Sequence, residues 1–106
     1  MRLRVDGANH NYQAAWDDYS RAIQLSTFED LALYEFRAVL FLDWKGAPAA
    51  YRAIAIQDAR RCCELTKWES PFYVGLLARA SAAGGDIAAG FKWASEARRL
   101  EKSAAQ

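Results

Sequence analysis

The stretch Asp18-Tyr19-Ser20-Arg21-Ala22-Ile23-Gln24-Leu25 returns, altered but in step, as Asp58-Ala59-Arg60-Arg61-Cys62-Cys63-Glu64-Leu65 and again as Trp93-Ala94-Ser95-Glu96-Ala97-Arg98-Arg99-Leu100. The copies begin at positions 18, 58 and 93, and self-similarity at a period of roughly 20–50 residues marks repeat arrays. A unit of that size cannot bury its own apolar face, so units stack. Stacking leaves an extended surface suited to holding another molecule. Binding, rather than catalysis, is therefore the first expectation.

The chain has 106 residues, enough for one domain, and its 53% apolar and 25% charged residues exclude disorder throughout. A formal net charge of +1 gives no large field of one sign, so strong capture of nucleic acid or an anionic membrane is not expected. No apolar run approaches the roughly 20 residues that span a bilayer. The start, Met1-Arg2-Leu3-Arg4-Val5-Asp6, lacks the apolar centre of a signal peptide. Cys62 and Cys63 are sequence neighbours within a helical pattern, where their side chains diverge and build no framework of disulfides. Together these features point to a reducing, cytoplasmic setting.

Apolar spacing near 3.6 and the end signals predict five helices and no strand. The first covers about residues 12–25, with Asn11 as N-cap. Thr27 and Asp30 resemble a capping box opening a second helix over about 28–44, apolar on nearly every side and so central to the core. Gly46-Ala47-Pro48 ends it and starts a third from 48 or 49 to about 66. Ser70-Pro71 opens a fourth that ends before Gly84-Gly85, and Asp86 caps a fifth that runs to about residue 101. Residues 1–10 are expected to form a poorly ordered arm, 11–101 the helical domain, and 102–106 a frayed tail.

A small residue, an aromatic or small residue four on and a small residue three further recur in this pattern: Ala15, Tyr19 and Ala22; Ala55, Ala59 and Cys62; Gly90, Ala94 and Ala97. With the lead-in His10-Asn11-Tyr12-Gln13-Ala14-Ala15, and with Leu77, Ala78 and Ser81 ahead of the turn Gly85-Asp86, the chain resembles the tetratricopeptide repeat family. The resemblance covers about residues 11–100, as two full repeats preceded by the second helix of another. It implies an all-α, right-handed superhelical array of antiparallel helical hairpins. The middle repeat departs from the pattern. With Ala38 as its small residue, Arg37 stands where the family has leucine, and about five residues near 47–51 are surplus. The linker at 62–71 is similar to that of a bacterial branch of the family, which implies a bacterial cytosol.

The resemblance further implies a non-enzymatic scaffold or adaptor that holds a peptide or helix in a concave groove lined by the first helix of each repeat. Carried over residue by residue, the groove positions are Ala32, Glu35, Val39, Leu42 and Asp43 on the second helix, and Phe72, Gly75, Arg79, Ala82 and Ala83 on the fourth. Partner contact is expected chiefly from Glu35, Val39, Leu42, Asp43, Phe72, Arg79 and Ala82, with Arg79 offering a charge-assisted bond. Val39, Leu42 and Phe72 equally suit a core. Because the first helix lacks a hairpin mate, its apolar side around Ala15, Trp16 and Ile23 is expected to be uncovered. A homodimer through that helix, or a longer array from which this stretch comes, would cover it. The alternative is a small self-associating bundle or regulator without a groove.

Reacting groups are scarce. A single histidine, His10, builds neither a triad nor a multi-histidine metal site. Asp17-Asp18 and Glu29-Asp30 are adjacent pairs that do not face each other on a helix. Gly84-Gly85 lacks the lysine and hydroxyl of a phosphate cradle. No cofactor or metal is expected. Arg60-Arg61 and Arg98-Arg99-Lys102 could align as a basic strip, diluted by Glu64, Glu96 and Glu101, so nucleic-acid binding is disfavoured. The four tryptophans, Trp16, Trp44, Trp68 and Trp93, read as wedges between helices rather than a ligand cage.

Overall fold

The computed structural model describes residues 2–105. Their backbone forms five α-helices: α1 (Arg2–Leu25), α2 (Leu31–Asp43), α3 (Arg52–Leu65), α4 (Pro71–Ala83) and α5 (Ile87–Ala105), with a 3₁₀ turn over Ala49–Tyr51 leading into α3. No strand occurs among the described residues. Sequence end signals locate most boundaries. Ser70 Oγ accepts from the Tyr73 N–H at 3.3 Å, with Pro71 at the first helical position. Asp86 accepts from the Ala89 N–H at 3.0 Å. Gly46 and Gly85 take φ values of +82° and +93°, the left-handed turns that release the chain after α2 and α4.

Three boundaries differ from expectation. The first helix begins at Arg2, so Asn11 lies inside it rather than at its cap. No proline interrupts residues 2–11, and the one glycine there, Gly7, costs a helix only about 1 kcal/mol. In α2 the cap is Asp30, which accepts from the Ala32 N–H at 3.1 Å, and not Thr27. Ser26 Oγ instead donates to the Phe28 carbonyl at 2.7 Å and holds residues 26–29 outside the helix. The last helix continues through the expected tail to Ala105, while Met1 and Gln106 lie outside the described residues.

Each helix packs on its sequence neighbour, and α2 also touches α4. The packing is that of a helical array. Its extents are 51 × 33 × 22 Å with a radius of gyration of 14.9 Å, against about 13 Å for a compact domain of 100 residues. Small side chains sit at the contacts: Ala38, Ala55, Ala59, Cys62 and Cys63 have no exposed surface. Around them Val74, Leu76 and Leu77 of α4 complete the core, with Trp68 and Trp93 stacked at 5.2 Å along its edge.

The two departures of the middle repeat prove to be joints between helices. Arg37 on α2 gives Asp58 on α3 two bonds, Nε to Oδ2 at 2.6 Å and Nη2 to Oδ1 at 2.7 Å. Its remaining Nη1 reaches Ser20 Oγ on α1 at 3.0 Å, and the guanidinium lies 5.3 Å from the Trp16 ring centre. One cation thus ties three helices. The surplus segment carries Tyr51 onto Trp16, stacked at 4.3 Å, while Trp44 stacks on Tyr12 at 5.7 Å.

Burial pushes the Asp58 carboxyl above its ordinary range even though Arg37 pulls it down. Arg37→Leu strands that carboxylate, an uncompensated buried charge that costs about 3 kcal/mol. Urea unfolding should show this loss at pH 7 and a smaller one as pH falls, because a protonated Asp58 no longer needs a cation. Adding Asp58→Ala should recover at least half of the loss.

Candidate functional site

The seven expected partner-contact residues fall into two groups. Glu35, Val39 and Asp43 line a recess of about 300 Å³ between α1 and α2, together with Tyr19, Phe36 and Leu40. Glu35 is engaged there, its Oε1 accepting from the Tyr73 hydroxyl of α4 at 2.8 Å. Burial, then this bond to a carboxylate, raises the Tyr73 phenol to about 12. Leu42 packs against the core, as does the inner side of Val39. Phe72, Arg79 and Ala82 instead line a separate groove between α4 and α5. Of the remaining carried-over positions, Gly75 joins that groove, and Ala32 and Ala83 are simply exposed.

The α4/α5 groove is the larger of the two surfaces, and its second part is almost wholly apolar. One part, about 520 Å³, lies among Phe72, Gly75, Leu76, Arg79, Ala97 and Arg98. It continues past Ala78, Arg79 and Ala94 into a second part of about 260 Å³ lined by Ala82, Ile87, Gly90 and Phe91. Three large apolar side chains stand at its margins in water: Phe72 is 59% exposed, Ile87 55% and Phe91 71%. Gly90 lets the walls meet closely, because a Cβ there would lie 3.0 Å from the Ala82 Cβ.

Ile87, Phe91, Ala94 and Arg98 of α5 also line this groove, although the resemblance places only the first helix of each repeat there. The sequence signal for them was the repeat itself. Ala59 on α3 and Ala94 on α5 occupy the same place in successive copies, as do Ile56 and Phe91, and Cys63 and Arg98. On the preceding helices Val39 matches Arg79 and Leu42 matches Ala82, in register with the buried pair Ala38 and Ala78. In the earlier copy this surface carries α4: Ala59 and Cys63 have no exposure, and Val39, Leu42 and Ile56 pack against the core that α4 completes. In the later copy nothing among the described residues lies on it, and Ala94, Arg98, Arg79, Ala82 and Phe91 are all exposed.

The uncovered first-helix surface requires correction. Trp16 is 3% exposed, closed over by Tyr51 and Arg37, because the surplus segment before α3 supplies the cover a hairpin mate would have given. Ala15 and Ile23 are half-buried at shallow recesses on either end of the α1/α2 contact. Trp16 itself offers no surface to a dimer seam, while Ala15 and Ile23 keep part of theirs.

Elsewhere the chemistry is structural. Cys62 and Cys63 are free thiols without exposed surface. Burial pushes Cys62 up to about 12, aided by the Glu35 and Asp58 carboxylates, and burial pushes Cys63 up to about 11. No cluster of potential metal ligands occurs among the described residues, and none of their helices is long and apolar enough to cross a membrane. In the candidate basic strip Arg61 is held by Glu29 at 2.6 Å and Glu64 at 2.9 Å, and Arg99 by Glu96. The paired Arg61 holds the Glu29 carboxyl below its usual range. No protein-family model matches this chain, and no curated protein or solved structure does so.

Two measurements check these assignments. A disulfide reagent at pH 7.5 should modify neither thiol of the folded chain within minutes and both after denaturation, since only an accessible thiolate reacts. Ala59→Leu should destabilise by about 1–3 kcal/mol through overpacking, whereas Ala94→Leu, at the same place in the open copy, should change stability by less than about 0.5 kcal/mol. Equal losses would mean that the second groove is not open.

Proposed function

We propose that this chain is a non-enzymatic protein-interaction module of tetratricopeptide type, working in the cytosol as a scaffold or adaptor, with its hairpins wound as a right-handed superhelix. Its partner contributes a helix or helical peptide. The observation that carries this reading is the apolar groove between α4 and α5, with Phe72, Ile87 and Phe91 at its margins in water. An exposed apolar patch of this kind marks a contact site, and docking of a helix by its apolar face into such a groove is a common mode of recognition. Glu35, Val39, Leu42 and Asp43 play a smaller part than the resemblance implies, because Glu35 and Leu42 already serve internal contacts.

The reading is tested by placing a photoactivatable benzoylphenylalanine at position 91 or, as control, at position 53, an exposed site on α3. Irradiation in native cells should give a discrete adduct from position 91 and none from 53. Ala94→Arg, which puts a long side chain on the groove floor, should remove that adduct while leaving helical circular dichroism unchanged. Equal labelling from both positions would contradict the proposal.

A further inference from the structure

The repeat register gives the open groove a filled counterpart, and the differences between the two describe the occupant. In the filled groove, the places of Ala94, Phe91 and Ala82 are held by Ala59, Ile56 and Leu42. All are apolar or small in both copies, so a helix fits either floor. The filled groove takes α4, of 13 residues, or about 20 Å at 1.5 Å per residue. The places of Arg79 and Arg98, however, are held by Val39 and Cys63. Cys63 lies directly under α4, its Sγ 3.3 Å from the Tyr73 carbonyl. Where the filled groove meets α4 with apolar side chains, the open one therefore presents two guanidinium groups.

Both guanidiniums line the larger part of the groove, are exposed, and form no ion pair among the described residues. The lining holds one carboxylate, Glu101, so cations outnumber anions two to one. A partner resembling α4 itself would leave both arginines facing apolar surface. A second copy of this chain docked groove to groove would set four guanidiniums against two carboxylates. We infer that the α4/α5 groove binds an amphipathic helix of about 13 residues whose apolar stripe is flanked by acidic side chains that pair with Arg79 and Arg98. This inference rests on the docking function proposed above and specifies its partner.

The probe is a fluorescein-labelled 15-residue helical peptide with a leucine and alanine stripe flanked by glutamates, compared with versions carrying glutamine or lysine at the same positions. Fluorescence anisotropy at low salt should show the glutamate peptide binding about tenfold more tightly than the glutamine peptide, an advantage lost at high salt, as expected of two rim charge pairs. Arg79→Glu with Arg98→Glu changes two exposed, unpaired side chains and should reverse the preference in favour of the lysine peptide. Ala94→Arg should weaken all three. Equal affinities for the three peptides would overturn the acidic partner while leaving helix docking in place. Absence of binding by any of them would overturn both. Sedimentation showing a dimer of the chain alone that Ala94→Arg dissolves would replace the proposed partner with a second copy.

Discussion

Close approach of helices at alanine-sized positions is the constraint from which the architecture follows. Helix axes pack about 8–10 Å apart, and reach the short end of that range where the side chains between them are small. Here Ala38, Ala55, Ala59, Cys62 and Cys63 are fully buried along α2 and α3, with Ala80 and Ala97 almost so on the next hairpin. Such contacts transmit no directional bond. They fix spacing, and the larger residues Val74, Leu76 and Leu77 then interdigitate from one hairpin into the next. Because the same spacing recurs, each hairpin ends in a groove of the same form. One groove holds α4 and the next holds nothing among the described residues.

A stack built on small apolar contacts has weak orientational preference, and the polar joint at Arg37 supplies some. Its bonds to Asp58 and Ser20, with the Trp16 ring alongside, engage α1, α2 and α3 at once. A buried pair of this kind contributes little net stability compared with an apolar equivalent, yet breaking one partner is costly. It sits where α1, α2 and α3 meet, so a slip of any one of them would break one of its bonds. Tyr51 works on the same seam by closing over Trp16.

The number of helices, their order and two of the N-caps were legible from local chemistry, because Ser70-Pro71, Asp86 and the glycine turns act on their own neighbours. The contact of α2 with α4 was legible from the repeat, but the single groove across them was not, since their positions line two separate recesses. What escaped were effects between distant residues. Arg37 registered as a departure from the family's leucine, since its partner lies 21 positions away in sequence. The cover on Trp16 is equally remote, since Tyr51 lies 35 residues on, in the segment that no repeat explains. The groove residues of α5 were hidden differently: Phe91 and Ala94 have the pattern of a core, yet both are exposed and none of the described residues covers them.

One asymmetry is central: α4 covers the groove between α2 and α3, while the matching groove between α4 and α5 stands open among the described residues. Solvent paramagnetic relaxation of alanine methyl groups by a neutral soluble gadolinium complex reads it directly, because the effect falls steeply with distance from the solvent. Strong broadening of the Ala82 and Ala94 methyls beside protected Ala38 and Ala59 methyls is the predicted pattern. Protection of Ala94 to the level of Ala59, in dilute monomeric protein, would contradict it.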